Sequence, residues 1–140
     1  TADEVLVTRL DDSRTPPSTL PADTFAHLCA VYGPRAVAVG ELARLRKDTL
    51  GQQLTAHAPD IAAQIVYAFE SEMAMHLADV LARRTRAFHA GIRAEEIARA
   101  ASIARDTLGW SEDRLQAEMR RVDEEQQRWR VPDASPTKGR

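Results

Sequence analysis

From Ile61 to Arg86 the chain reads IAAQIVYAFESEMAMHLADVLARRTR, with no Gly and no Pro to interrupt a helix. Ile65, Phe69, Met73, Leu77, Val80, Leu81 and Arg84 recur at steps of three and four, the spacing of a helix that buries one stripe. At ~1.5 Å per residue, such a rod would run roughly 39 Å. The periodicity therefore predicts a long central helix against which every shorter segment must pack.

The shorter segments carry their own start and stop signals. Asp23 or Thr24 can open a helix whose stripe is Phe25, Leu28, Cys29 and Tyr32, and Gly33 supplies a left-handed stop. Pro34 suits the first turn of a second helix, with Val37, Ala38, Leu42 and Leu45 on one side and Arg44, Arg46 and Lys47 near its end. Residues 48–59 form a loop anchored by Leu50 and Leu54, and Asp60 is placed to cap the central helix. Beyond Arg86, Gly91 is a stop. Ile92, Ile97, Ala100, Ala101, Ala104 and Leu108 mark the next helix, with Glu95 and Glu96 near its positive end. Gly109 ends it, and Ser111 caps a last helix with Leu115, Met119, Val122 and Trp129 along its stripe. Trp110 is expected to staple back near Leu115.

These signals predict an all-α fold, an orthogonal or irregular bundle of about five helices around the central one, in a single domain over residues 23–130. Residues 1–22, DDSRTPPSTLPA included, read as a linker or N-terminal arm, in which Val5 to Leu10 is a short apolar piece. Residues 131–140 read as a disordered tail. Thr1 in place of Met suggests a processed product or a segment of something longer.

Charge and cysteine usage narrow the function. A net charge of −2 lacks the basic face that a phosphate backbone needs, so no nucleic acid is expected as a partner. The single cysteine, Cys29, makes no internal disulfide and fits a reducing, cytoplasmic setting. No apolar run approaches the ~20 residues that cross a bilayer.

The chemistry-bearing groups cluster in the central stretch. Glu72 and His76 lie one turn apart, but a di-metal carboxylate bundle requires E-x-x-H repeated on a second helix, so a polar contact is the stronger reading and no metal is expected. Asp79 and Arg83 have the favourable i, i+4 order, and Glu72, Asp79, Arg83 and Arg86 could extend it into a charged ladder. Arg84 falls on the apolar stripe, so its guanidinium should cross the core edge to a carboxylate or helix-end carbonyls. The sharper alternative has Arg83 and Arg84 on a phosphate group, whose geometry guanidiniums suit. No dinucleotide or P-loop glycine motif is present, and the histidines at 27, 57, 76 and 89 are scattered.

Val66-Tyr67-Ala68, Glu72-Met73-Ala74 and Asp79-Val80-Leu81-Ala82-Arg83-Arg84-Thr85-Arg86, together with Tyr32-Gly33-Pro34-Arg35-Ala36 and Leu108-Gly109-Trp110-Ser111, form a recognisable set. It resembles the helical C-terminal domain of FAD-dependent, membrane-associated glycerol-3-phosphate dehydrogenases over roughly residues 25 to 130. Gln64 and Glu70 depart from the family's usual acid and base. The resemblance implies a whole enzyme that oxidises glycerol 3-phosphate to dihydroxyacetone phosphate and passes electrons through FAD to a quinone, peripheral on the cytoplasmic membrane. It implies no catalytic residue and no cofactor in this piece. Its expected partner is the flavin domain of the same chain, with a homodimer left open, and Glu72, Asp79, Arg83, Arg84, Thr85 and Arg86 form a structural or docking motif. The competing reading is an independent helical protein-interaction module.

Overall fold

The structure is a computed structural model that describes residues 20–46 and 48–129. The arm at Val5 to Leu10, most of the expected linker, Lys47 and the tail lie outside the described residues. Helix α1 spans Ala22–Tyr32. A 3₁₀ turn, Gly33–Arg35, leads into α2, Ala36–Leu45. Helix α3 is Ala63–Ser71. The short α4, Leu77–Asp79, runs directly into a π turn, Val80–Arg84. Helices α5, Ala94–Leu108, and α6, Glu112–Trp129, complete the bundle. The all-α class holds, and the described residues contain no strand, only an isolated bridge between Gln53 and Ile61.

Most punctuation falls where the residues dictate. Gly33, at φ 57°, separates α1 from the proline-led turn, and Gly109, at φ 75°, ends α5 in the left-handed region. The Ser111 hydroxyl accepts from the Arg114 amide at 3.1 Å and so caps α6. At α1 the start is Ala22, ahead of the expected Asp23 or Thr24, because the Pro21 carbonyl accepts from the Phe25 amide without any side-chain cap. Leu50 and Leu54 are buried and pin the 48–59 loop, whose backbone is tied by Ala62 to Gln52 and by Ala63 to Leu50.

The central rod is a correction. It is not continuous: α3 stops at Ser71, residues 72–76 are non-helical, and helix resumes at Leu77. Met73 sits at φ 59°, the position that glycine usually fills at a helix end. The geometry explains the outcome. A rod of roughly 39 Å would overshoot a domain of this length, whose radius of gyration is about 14 Å. With the break, Ile65 from one half and Leu77, Val80 and Leu81 from the other are all fully enclosed in one core with Leu28, Val39 and Val122. Met73, which the stripe placed inside, is thrown out to 86% exposure.

Around this broken element α1 packs on α2, α2 on α3, α3 on α5, and α6 on both α5 and α4. The alanines Ala100, Ala101 and Ala104 of α5 are buried, which permits close approach of its neighbours.

Candidate functional site

Each end of the break is held by a charged group from elsewhere in the chain. At the C-terminal end of α3, Arg84 donates from Nη1 to Glu72 Oε1 at 3.1 Å and from Nη2 to the Glu72 carbonyl at 3.4 Å. Arg35, from the 3₁₀ turn, reaches the other carboxylate oxygen at 3.5 Å. Two guanidiniums thus occupy the negative end of α3, where unsatisfied carbonyls gather. Arg84 crosses the core edge to a carboxylate and a helix-end carbonyl, as its place on the stripe predicts.

At the N-terminal end of α4 the clamp is Glu118, a buried acid in the middle of α6. Its Oε1 accepts from the Leu77 amide at 2.7 Å, and its Oε2 lies 3.0 Å from His76 Nδ1 and accepts from Arg114 Nε at 2.9 Å. Glu118 therefore caps a helix to which it does not belong, supplying the acceptor that a capping Ser or Asp would offer locally. Burial pushes the carboxyl up, but the hydrogen bonds from His76, the Leu77 amide and Arg114 outweigh it and hold Glu118 below the usual carboxylate range. Arg114 also donates to the Met75 carbonyl at 3.0 Å and stacks over the Trp110 ring at 4.7 Å. Trp110 meets the edge of Phe69 at 5.4 Å and so braces α3.

A second buried acid, Asp60, ties the far side. It does not cap α3. Its Oδ1 pairs with His27 Nε2 and accepts from Gln64 Nε2, both at 2.9 Å, and its Oδ2 accepts from the Arg86 amide at 2.8 Å. Gln64 turns back to accept from the Ile61 amide at 2.8 Å and lies 3.4 Å from the Tyr32 hydroxyl. Burial pushes the Tyr32 phenol up to about 12.

The motif residues are brought together unevenly. Asp79 and Arg83 pair at 3.6 Å, the i, i+4 contact their spacing predicts, and Arg83 also lies 3.9 Å from Glu125. Thr85 is buried and bonds to the Leu81 carbonyl at 3.1 Å, finishing the π turn. Arg86 joins Asp60 through its backbone amide. The four-residue ladder does not form, and Glu72 and His76 do not pair, because the break rotates them onto different partners. No group of three or more His, Cys, Asp or Glu among the described residues could hold a metal ion.

Sequence reasoning missed Glu118, Arg114 and Arg35. Glu118 had a signal: it falls between Leu115 and Val122 at the spacing of the buried stripe, and a buried acid requires partners.

Met73, Ala74, Met75, His76, Asp79, Arg83 and Arg84 line a groove of ≈ 420 Å³ beside the break. No helix among the described residues is long and apolar enough to cross a membrane. A family model described as the C-terminal domain of alpha-glycerophosphate oxidase matches residues 4–115. No curated protein and no solved structure matches the chain.

Proposed function

The chain belongs to the family of C-terminal domains of alpha-glycerophosphate oxidase, and from that premise we propose that it is the helical cap of an FAD-dependent enzyme acting on glycerol 3-phosphate. In the whole enzyme, glycerol 3-phosphate is oxidised to dihydroxyacetone phosphate and FAD takes up the electrons. A quinone is the acceptor the dehydrogenase resemblance favours, whereas the family's name is that of an oxidase. The groups that choose between them belong to the flavin-bearing part.

The observation that carries a structural role for this piece is the Arg84–Glu72 contact. The most distinctive element of the chain, D-x-L-x-R-R-T, is engaged in building the domain: Arg84 closes α3, Thr85 finishes the π turn, and Arg86 hangs on Asp60. A phosphate would have to displace Glu72 from Arg84, exchanging an ion pair already made for another. A flavin pyrophosphate needs a glycine-rich turn between a strand and a helix. The described residues do not fit that group, since their left-handed glycines Gly33, Gly91 and Gly109 sit at helix ends and turns without a strand. The cofactor is therefore assigned to the rest of the polypeptide.

The test is direct. The purified chain mixed with FAD should show no bound-flavin spectrum and no oxidation of glycerol 3-phosphate; a flavin that stays bound through gel filtration would overturn the assignment.

A further inference from the structure

Residues 72–76 contain neither Gly nor Pro, yet the helix stops there and Met73 adopts φ 59°, where a side chain crowds its own backbone. Strain of this kind persists only where the surroundings over-determine it, and it gathers at functional sites. Here Arg84 holds the Glu72 carbonyl, Arg114 the Met75 carbonyl and Glu118 the Leu77 amide. Between the two methionines Ala74 turns inward, its amide on the Ala68 carbonyl at 2.9 Å and its side chain against the core. Met73 and Met75 emerge on either side of it, 86% and 71% exposed. Each forfeits the burial of its apolar stem, so packing does not account for their placement.

His76 follows directly, and Met73, Met75 and His76 line the same ≈ 420 Å³ groove. The His76 Nδ1 lies 3.0 Å from Glu118 Oε2. That oxygen also accepts from Arg114 Nε, and Oε1 accepts from the Leu77 amide, so neither carries a proton and Nδ1 is the donor. In the neutral ring the lone pair is then on Nε2, which has no hydrogen-bond partner among the described residues. A carboxylate on one imidazole nitrogen fixes the ring and raises the basicity of the other, the usual arrangement behind a histidine that ligates a metal. Thioether sulfur is a soft, polarisable, uncharged donor that suits Cu(I) better than hard divalent ions. The two guanidiniums that also line the groove each stand against a carboxylate, Arg84 against Glu72 and Arg83 against Asp79, which offsets their repulsion of a cation.

We propose that Met73, Met75 and His76 form a binding site for a soft monovalent cation of the Cu(I) class, with the two sulfurs and the imidazole Nε2 as its ligands. The break assembles the site. In a continuous helix residues 73 and 75 would point about 200° apart around the axis, whereas here both face one groove beside His76. No carboxylate serves as a ligand: Glu72, the acid one turn before His76, is turned to Arg84. The site stands on these three side chains and does not depend on the cap reading.

Silver(I), which shares the charge and softness of Cu(I) and keeps its oxidation state, is the probe. The 140-residue chain, isotope-labelled at its methionine methyl groups, is titrated with silver nitrate while the signals of Met73, Met75 and Met119 are followed by NMR. The Met73 and Met75 signals should move together and stop at about one equivalent, with Met119, packed against the core, unmoved. Cu(I) held reduced by ascorbate without oxygen should do the same, and Zn(II) should displace neither ion. Met75→Leu should weaken binding about tenfold and Met73→Leu with Met75→Leu about a hundredfold, at the melting temperature of the parent. His76→Gln should also cost about tenfold. The leucine variants leave the Glu118 contacts in place and decide the matter whether or not His76→Gln keeps its fold. Cys29→Ala, the control for a thiolate site, should bind as the parent does. Unmoved Met73 and Met75 signals, a double leucine variant that binds as tightly as the parent, displacement by Zn(II), or loss of binding in Cys29→Ala would each overturn the proposal.

Discussion

The Leu77 amide is capped from across the bundle by Glu118, 2.7 Å away, so the restart of the broken rod is written into a different helix. Replacing Glu118 by Gln keeps the shape but removes the charge that His76 and Arg114 face. We expect a loss of about 1–3 kcal/mol, read as a lower urea midpoint with an unchanged m value. A null result would mean that the cap is dispensable.

The same carboxyl gives the domain a pH dependence. Its folded pKa is depressed, so its contribution is fully present above the unfolded value of about 4.3 and is lost as pH falls through the lower folded value. Glu96, depressed chiefly by the hydrogen bond from the Arg93 amide and by those from Thr55 and Ala56, adds to the loss with the same sign. Thermal melts from pH 7 to pH 3 should fall more steeply for the parent than for Glu118→Gln. Parallel curves would contradict this.

Tyr32 acts at the opposite end of the scale. With its phenol pushed up to about 12, folding favours the protonated form, and that stability is lost as pH rises above the unfolded value near 10. Ultraviolet titration of the parent and of Tyr32→Phe should assign the late-ionising phenol to Tyr32.

Met73 offers a test of the break itself. Glycine accepts φ 59° without penalty but loses more chain entropy on folding, so Met73→Gly should leave stability within about 1 kcal/mol of the parent. Met73→Ile, branched at Cβ and confined to the same φ, should cost about 1–2 kcal/mol. If isoleucine were neutral, residue 73 would be helical in solution and the rod unbroken.

Much of this architecture was legible because its causes are local. Gly33 and Gly109 end helices by their own backbone freedom, Ser111 caps through the adjacent turn, and Leu50 and Leu54 anchor a loop simply by being apolar among polar neighbours. The break at 72–76 was not legible, since no residue within it disfavours helix. Its causes, Arg114 and Glu118, lie about forty positions away along the chain and act only once α6 has packed. Asp60 failed as a cap for a related reason: a buried acid takes whichever donors the tertiary fold brings, here His27, Gln64 and the Arg86 amide. Arg84 was read correctly as to the kind of partner, because a guanidinium on an apolar stripe has few ways to be satisfied.

The central claim is that the arginine-rich element holds the cap together and does not bind the reactant. It is met most directly in the full-length enzyme carrying Arg84→Met, by measuring the melting of the cap domain and the KM for glycerol 3-phosphate on the same preparation. Loss of the contact to Glu72 should cost about 1–2 kcal/mol, roughly 3–8 °C in Tm, with KM unchanged. A KM raised about tenfold or more with Tm unmoved would place that guanidinium on the phosphate and contradict the account.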